Sequence, residues 1–522
     1  MTEKKSFPKK LIYKEEFYYF LLTVFFYVSD IVFVFRKTSG LLNSDSSAEM
    51  ILAAHLNKVG GFLSKDWCYS SELRVLNTQI VYKLALRLFP NDWHLARTFS
   101  IGIFLLILIA AGWYLMWAAG LKKKGLLLSA ILICPIGQWY AWNVIYNSFY
   151  VPHIAISLIS VGLFLHILKT KKRLTAYILT AVSLILSFIA GLGGVRQVLV
   201  CYAPLFLTSV ILFLLNTEKK EKWKMLLLSF GILACGGAGY LVNANVLSKI
   251  YTFKDYNDTL WQEFTLPVIW TALEQLIRQF GWVPYSKVFT LTGLTNFVCL
   301  AIVAGIIICF VLCIKRFKTL KEGEKILFSF GAASFIFLLI VFAETWVYNE
   351  SYWLPALPFF LIPILIVLDG EFLKKRKILL LAVFASFLIL CAKSSFSNYH
   401  IIGVNSDEPI RNVSEWLASQ DEYTNGIASF WHAPIVTELT DGKIEMWTVE
   451  KYEDMQPYAW LQEKDHLTFP EGKVFVLIPC ATAYGDPYRS EVLKEKEIYN
   501  DGEYIVYGFD SYLDYYDVPV EE

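Results

Sequence analysis

Two carboxylates, Asp45 and Glu49, stand four residues apart in the stretch NSDSSAEM that begins at Asn43. A helix running through both would put them on one face. Such a pair can act as a general base and its helper, or hold a hard divalent cation. It can equally be a solvated face, and Asp45, Ser44, Ser46 and Ser47 are all residue types that cap helix starts. Further on, Tyr69 precedes Glu72 and Arg74, two opposite charges that either line a site or order a loop by pairing. Arg196 stands in GLGGVRQ, between two apolar runs. Charge there is costly unless paired or used. A guanidinium suits a phosphate, and its plainer role is to snorkel toward headgroups. Arg97 and His153 occupy similar places, although a lone histidine is more often packed and hydrogen-bonded than catalytic. Asp30 falls inside an apolar run, where a carboxylate is a functional candidate by default. Pairing with Arg36 is the rival account.

The elements that must position these residues are mostly membrane helices. The chain has 522 residues, of which 56% are apolar and 16% aromatic. Apolar runs near twenty residues long match a hydrocarbon core about 30 Å thick. About eleven such spans are predicted, at 17–35, 101–119, 125–142, 150–168, 174–190, 198–215, 225–247, 297–314, 326–342, 353–368 and 378–392. The first follows a lysine-rich start without a small-residue cleavage site, so it reads as a retained helix. Every second connection is basic: 122–124, 169–173, 219–224, 315–325 and 374–377. Lys and Arg stay on the cytoplasmic side, which predicts a cytoplasmic N-terminus and an extracytoplasmic C-terminus. A net charge of +1 gives no reason to expect a nucleic-acid partner.

Two domains are expected: a transmembrane domain at 1–392, with long outer loops at 36–100 and 248–296, and an extracytoplasmic α/β domain at 393–522. The first loop should hold one helix over 46–57 and a second, amphipathic helix lying on the membrane. Its apolar line is Leu76, Ile80, Leu84 and Leu88, with Lys83 and Arg87 off it. The tail reads as one short helix and several strands, from WLASQ, GIASFW, IVTEL, KIEMWTV, KVFVLIP and GEYIVYGF. Of the nine cysteines, Cys68 and Cys480 fall outside the predicted spans and are the only pair open to a disulfide. No Cys/His spacing for structural zinc occurs.

In order and spacing, the first hundred residues resemble the GT-C superfamily of polytopic glycosyltransferases, such as protein O-mannosyltransferases and lipid A aminoarabinose transferases. In those families an acidic residue follows the first span. A Tyr-x-x-Lys/His-Pro-Pro-Leu element, an amphipathic helix and an Arg at the second span come next. Here the order is Asp45, Tyr69 to Gln79, the helix to Phe89, and Arg97. The acidic doublet is a single Asp, and Glu72-Leu73-Arg74-Val75-Leu76 stands where the Pro-Pro-Leu element would be. The resemblance implies a bacterial cell-envelope enzyme of glycan biosynthesis, an inverting glycosyltransferase of the plasma membrane. It implies a polyprenyl-phosphate-linked sugar donor and a glycan, lipid or protein acceptor on the outer face. Asp45 would be the base, with Glu49, Tyr69, Glu72 and Arg74 supporting it or lining the acceptor site. Arg97 and Arg196 would meet the lipid phosphate. It makes no cofactor certain, and a divalent cation on Asp45 and Glu49 stays open. The alternative is a non-catalytic flippase or transporter of lipid-linked glycans, or a glycan-binding membrane protein. A flippase predicts polar residues strung through the spans, whereas these spans are almost free of charge in their middles.

Overall fold

A backbone inside a bilayer has no water to bond, so apolar runs of this length fold as helices. The computed structural model describes residues 9–70, 73, 75–215, 219–253, 262–345, 350–369, 385–386, 388–390, 392–393, 409–453, 455–483, 487–516 and 518. Among these residues, seven helices are long and apolar enough to cross a membrane. They are α1 (Lys9–Leu41), α4 (Trp93–Ala119), α7 (Val151–Lys169), α8 (Arg173–Leu192), α10 (Lys219–Asn245), α12 (Leu291–Lys315) and α13 (Glu322–Glu344). Two shorter helices, α2 (Ser44–Val59) and α3 (Gln79–Leu88), lie between α1 and α4.

Three further predicted spans depart from a single regular α-helix. The run 125–142 folds as α5 (Gly125–Leu132), α6 (Gln138–Tyr140) and a π turn over Ala141–Tyr146. Pro135, which has no N–H to give and clashes with the preceding turn, lies in the gap. The run 198–215 begins as a π turn, Val198–Tyr202, and continues as α9 (Ala203–Leu214) with Pro204 in its first turn. The run 353–368 is divided among a 3-10 turn at Glu350–Trp353, α14 (Leu357–Phe360) and α15 (Ile362–Asp369), with prolines at 355, 358 and 363. Most of 378–392 lies outside the described residues.

The chain divides into two compact units. One contains residues 1–32, 102–245 and 257–400; the other contains 33–101, 246–256 and 401–522. The expected boundary at 392/393 left the segment 36–100 with the membrane helices. Here that segment packs with the C-terminal chain, because Trp67–Tyr69 and α2 take partners from it. In the first unit, α8 and α10 meet through glycines. A Cβ on Gly191 would sit 2.1 Å from the Gly236 carbonyl oxygen, and one on Gly239 2.1 Å from that of Phe188. Only backbones without side chains can approach so closely.

The second unit carries two sheets. In the smaller, β1 (Trp67–Tyr69) pairs with β2 (Thr252–Phe253) in parallel and with β5 (Gln462–Glu463) antiparallel. In the larger, the order is β4 (Glu445–Val449), β3 (Asn425–Ser429), β6 (Val474–Pro479), β8 (Tyr504–Phe509), β7 (Glu497–Asn500). The first three of these run parallel, and the last two join antiparallel. Alternate side chains feed two cores, as strand geometry requires. Ile427, Val449, Val476 and Tyr507 fall on one face, and Ala428, Met446, Phe475 and Val506 on the other. Helices Pro409–Ser419 and Ala433–Leu439 cover the second face. The apolar segment IVTEL belongs to the latter helix, whose first turn holds Pro434.

Helix α3 packs by the face away from its apolar line. Tyr82, Ala85 and Leu86 are buried, while Leu84 and Leu88 are about half exposed. The predicted apolar line thus faces outward, as a helix lying on a membrane needs.

Candidate functional site

Helix α2 places the two carboxylates of NSDSSAE. Its N-cap is Asn43, not Asp45 or a serine: the Asn43 Oδ1 accepts from the Ser46 N–H at 2.8 Å. Asp45 is left in the first turn, at the end where the helix dipole favours a negative charge. Its side chain is partly buried. A carboxylate so placed has the chemistry of a general base toward a hydroxyl.

Glu49 is buried and has structural work. Its oxygens accept from Asn77 Nδ2 at 3.1 Å and Thr78 Oγ1 at 3.0 Å, which ties α2 to the start of α3. The pair therefore does not present two open carboxylates to a cation. Among the described residues, no three His, Cys, Asp or Glu side chains gather as a metal site. Tyr69 is also buried, on β1; its hydroxyl accepts from the Ser64 N–H at 2.8 Å, and burial holds its proton on well above the ordinary tyrosine range. Glu72 and Arg74 lie outside the described residues. Cys68 and Cys480 are each buried as free thiols.

Arg97 is the most fully engaged of the sequence candidates. It is 1% exposed. Its Nε pairs with Glu438 Oε1, and its Nη2 reaches Glu438 Oε2 at 2.6 Å. Nη2 also donates to the Ser46 carbonyl at 3.0 Å, and Nη1 to the Tyr82 hydroxyl at 3.2 Å. This guanidinium fastens α2, α3 and α4 to the helix Ala433–Leu439. A lipid phosphate would have to displace Glu438.

The other candidates lie in the unit of membrane helices. Arg196 sits over the Tyr352 ring at 4.8 Å and the Tyr150 ring at 5.6 Å, with its Nη1 3.3 Å from His153 Nε2. Gln197 donates to the His153 carbonyl at 2.9 Å, so His153 belongs to the packing that holds Arg196. Asp30 is buried in α1 with Oδ2 unbonded, and Arg36 is exposed.

The sequence reading did not single out a cavity of about 520 Å³ in this unit. Trp139, Trp142, Trp282, Arg278, Glu350 and Lys393 line it. Arg278 pairs with Glu274 at 2.9 Å and Glu350 at 3.4 Å; burial raises the Glu350 carboxyl above the usual range despite that partner. Proline-broken helices bring these side chains together, and neither periodicity nor charge spacing shows such an assembly.

No protein family and no curated protein matches the chain. Its fold is similar to that of ArnT from Cupriavidus metallidurans in the apo state. The TM-score is 0.57 at 11% identity, over 93% of this chain and 97% of that one. It is also similar to the apo oligosaccharyltransferase of Archaeoglobus fulgidus. There the TM-score is 0.51 at 12% identity, over 90% of this chain and 71% of that one. The chain has the GT-C fold, as the order of residues in its first hundred implied.

Proposed function

We propose that the chain is an inverting membrane glycosyltransferase. It takes a sugar from a polyprenyl-phosphate donor and delivers it to a hydroxyl of a glycan, lipid or protein on the outer face, with its N-terminus in the cytoplasm. The observation that carries this reading is a GT-C fold over nearly the whole chain, with Asp45 on the helix that follows the first span and spared the capping role by Asn43. In the reaction, the acceptor hydroxyl gives its proton to Asp45 as its oxygen bonds to the anomeric carbon. The bond from that carbon to the phosphate oxygen breaks, and the lipid phosphate leaves with the electron pair. Arg196 is assigned to the phosphate, since Arg97 is committed to Glu438. General-base assistance is worth roughly 10²- to 10⁴-fold.

The test compares surface-glycan composition in the native host carrying the wild-type chain, a deletion, or Asp45→Asn at equal expression. Loss of the same sugar in the deletion and in Asp45→Asn is expected, and that sugar names the donor. A deletion that changes the glycan beside an Asp45→Asn strain like wild type would remove the base role. Unaltered glycan in the deletion strain would remove the transferase reading.

A further inference from the structure

Three basic connections of the membrane unit, 118–124, 169–173 and 315–325, are far apart in sequence and meet at the C-terminal end of α4. Lys169 Nζ, from the last turn of α7, donates to the Ala118 carbonyl at 2.6 Å. A Cβ on Gly323, in the first turn of α13, would sit 2.2 Å from the Ala119 carbonyl oxygen, so that helix start also lies directly against α4. The last carbonyls of a helix carry partial negative charge, and Lys169 answers it. Other cations stay at the surface: Lys122, Lys123, Lys171, Lys172, Arg173 and Lys318 are all exposed. Three carboxylates at this end are engaged. Glu15 pairs with Lys124, and Glu324 and Asp369 pair with Lys321, while Glu322 is exposed. The surplus charge is positive.

Each helix that leaves this end turns apolar at once, on a face that is open. On α8, Arg173 is followed by Leu174 and Tyr177, 72% and 71% exposed, and then by Ile178. On α12, Val311 and Ile314 are exposed just before Lys315. In the last two turns of α4, Trp113 and Trp117 are partly exposed and stacked, with ring centroids 6.4 Å apart. Indoles gather at the depth of lipid headgroups. A soluble phosphate or a nucleic acid needs cations alone. Cations bordered by open apolar side chains fit a molecule that is anionic at one end and apolar along the rest.

We propose that this end of the membrane unit binds anionic phospholipid. The phosphate lies on the exposed lysines 122, 123, 171 and 172, and the acyl chains run along the apolar faces that follow them. Phosphatidylglycerol, with a net negative headgroup, is favoured over phosphatidylcholine, whose ammonium cancels its phosphate. Each Lys or Arg at such a surface strengthens association roughly fivefold. The site is distinct from the one assigned to the donor. Arg196 follows the opposite end of α8, about 30 Å away at 1.5 Å for each of the helix's 20 residues. Binding here needs neither Asp45 nor a donor lipid, so it does not rest on the transferase reading.

The test is native mass spectrometry of the full chain in detergent micelles, titrated separately with palmitoyl-oleoyl phosphatidylglycerol and phosphatidylcholine. Wild type should retain phosphatidylglycerol at a concentration lower by about tenfold or more. Raising ammonium acetate from about 0.05 M to about 0.5 M should shrink that preference. A large excess of sn-glycerol 3-phosphate should not displace the lipid. The variant Lys122→Gln/Lys123→Gln/Lys171→Gln/Lys172→Gln changes only exposed side chains, which folds generally tolerate. It should weaken phosphatidylglycerol by about tenfold or more and leave phosphatidylcholine unchanged. Lys494→Gln/Lys496→Gln, exposed in the C-terminal chain, should change neither. Thermal unfolding checks the fold of each variant; the salt and glycerol-phosphate arms use wild type and decide the matter if the four-lysine variant does not fold. Equal retention of the two lipids by wild type overturns the assignment, as does a preference that survives high salt or the loss of the four lysines. Displacement by glycerol phosphate would make this a site for soluble phosphate and overturn the lipid. A Lys494/Lys496 variant that weakens phosphatidylglycerol as much as the four-lysine variant would show general charge attraction and overturn the site. Failure of the glycan comparison above would leave this binding untouched, so the two readings fall separately.

Discussion

Arg97 shows how far a residue's role can depend on what is distant in sequence. As sequence it is a cation at the mouth of a span, a natural ligand for lipid phosphate. In the structure its guanidinium is spent on Glu438, which lies 341 residues further on, and no local pattern announces that partner. The pair is almost wholly buried, at 1% and 3% exposure. Removing one member of such a pair strands the other charge in a poor solvent and costs about 3–5 kcal/mol. Replacing both with apolar groups of similar volume strands nothing. Glu438→Gln and Arg97→Met should therefore each lower the thermal midpoint of the full chain steeply, and the double variant Arg97→Met/Glu438→Leu should recover much of the loss. Single variants that melt like wild type would refute the fastening role and return Arg97 to the list of phosphate ligands. Asp45 is the opposite case. Its place before a helix start was legible from the serines around it, and only the geometry of Asn43 shows which residue is the cap.

At the scale of elements, what was legible is what periodicity can carry. Helices α2 and α3, the strands of the C-terminal sheet and the long apolar helices all follow from runs of the right length and period. Two spans were drawn whole and are broken, because a hydropathy window averages over Pro135 and Pro358 while the hydrogen-bond ladder cannot; a third, 198–214, stays continuous and opens with a π turn. The outward line of α3 was legible as a pattern, but its buried face, with Tyr82 and Ala85, depends on partners the window does not see. The helix Ala433–Leu439 follows His432, whose burial lowers its pKa from the ordinary 6.5 to about 4. The sign follows directly. The unfolded chain binds this proton more tightly than the folded one, so the contribution to stability is full above pH 6.5 and declines as pH falls toward 4. By pH 5 the loss is about 2 kcal/mol. Glu445 and Glu463, with lowered carboxyl pKa values, lose their contributions only at still lower pH. Thermal midpoints of the full chain at pH 7 and pH 5 should thus converge in His432→Gln relative to wild type. An equal drop in both proteins would show that His432 is not the titrating group.

At the scale of the whole molecule, the alternation of lysine-rich connections carries the argument for sidedness. The clusters at 122–124, 169–173, 219–224 and 315–325 alternate with connections that carry fewer Lys and Arg near the helix ends. A chain that threads helices through a bilayer pays for every basic loop it moves across, so loops rich in Lys and Arg stay on one side. Whether α5, α6 and the π turn 141–146 together make one crossing decides the register. Two connections are informative here: Lys123, in the 3-10 turn before α5, and Gly472, in the turn before β6. An N-terminus in the cytoplasm with an odd number of crossings puts them on opposite faces. In a cysteine-tolerant background, Lys123→Cys should resist a membrane-impermeant maleimide in intact cells and react after permeabilisation. Gly472→Cys should react in intact cells. Gly472 has φ +87°, so the substitution there is strained. The neighbouring Glu471→Cys, on the same turn, repeats the measurement without that strain. Labelling of Lys123→Cys in intact cells would reverse the orientation and with it the side on which the proposed base, Asp45, would act. Protection of both positions would show an even number of crossings between them, and would place the C-terminal sheet in the cytoplasm.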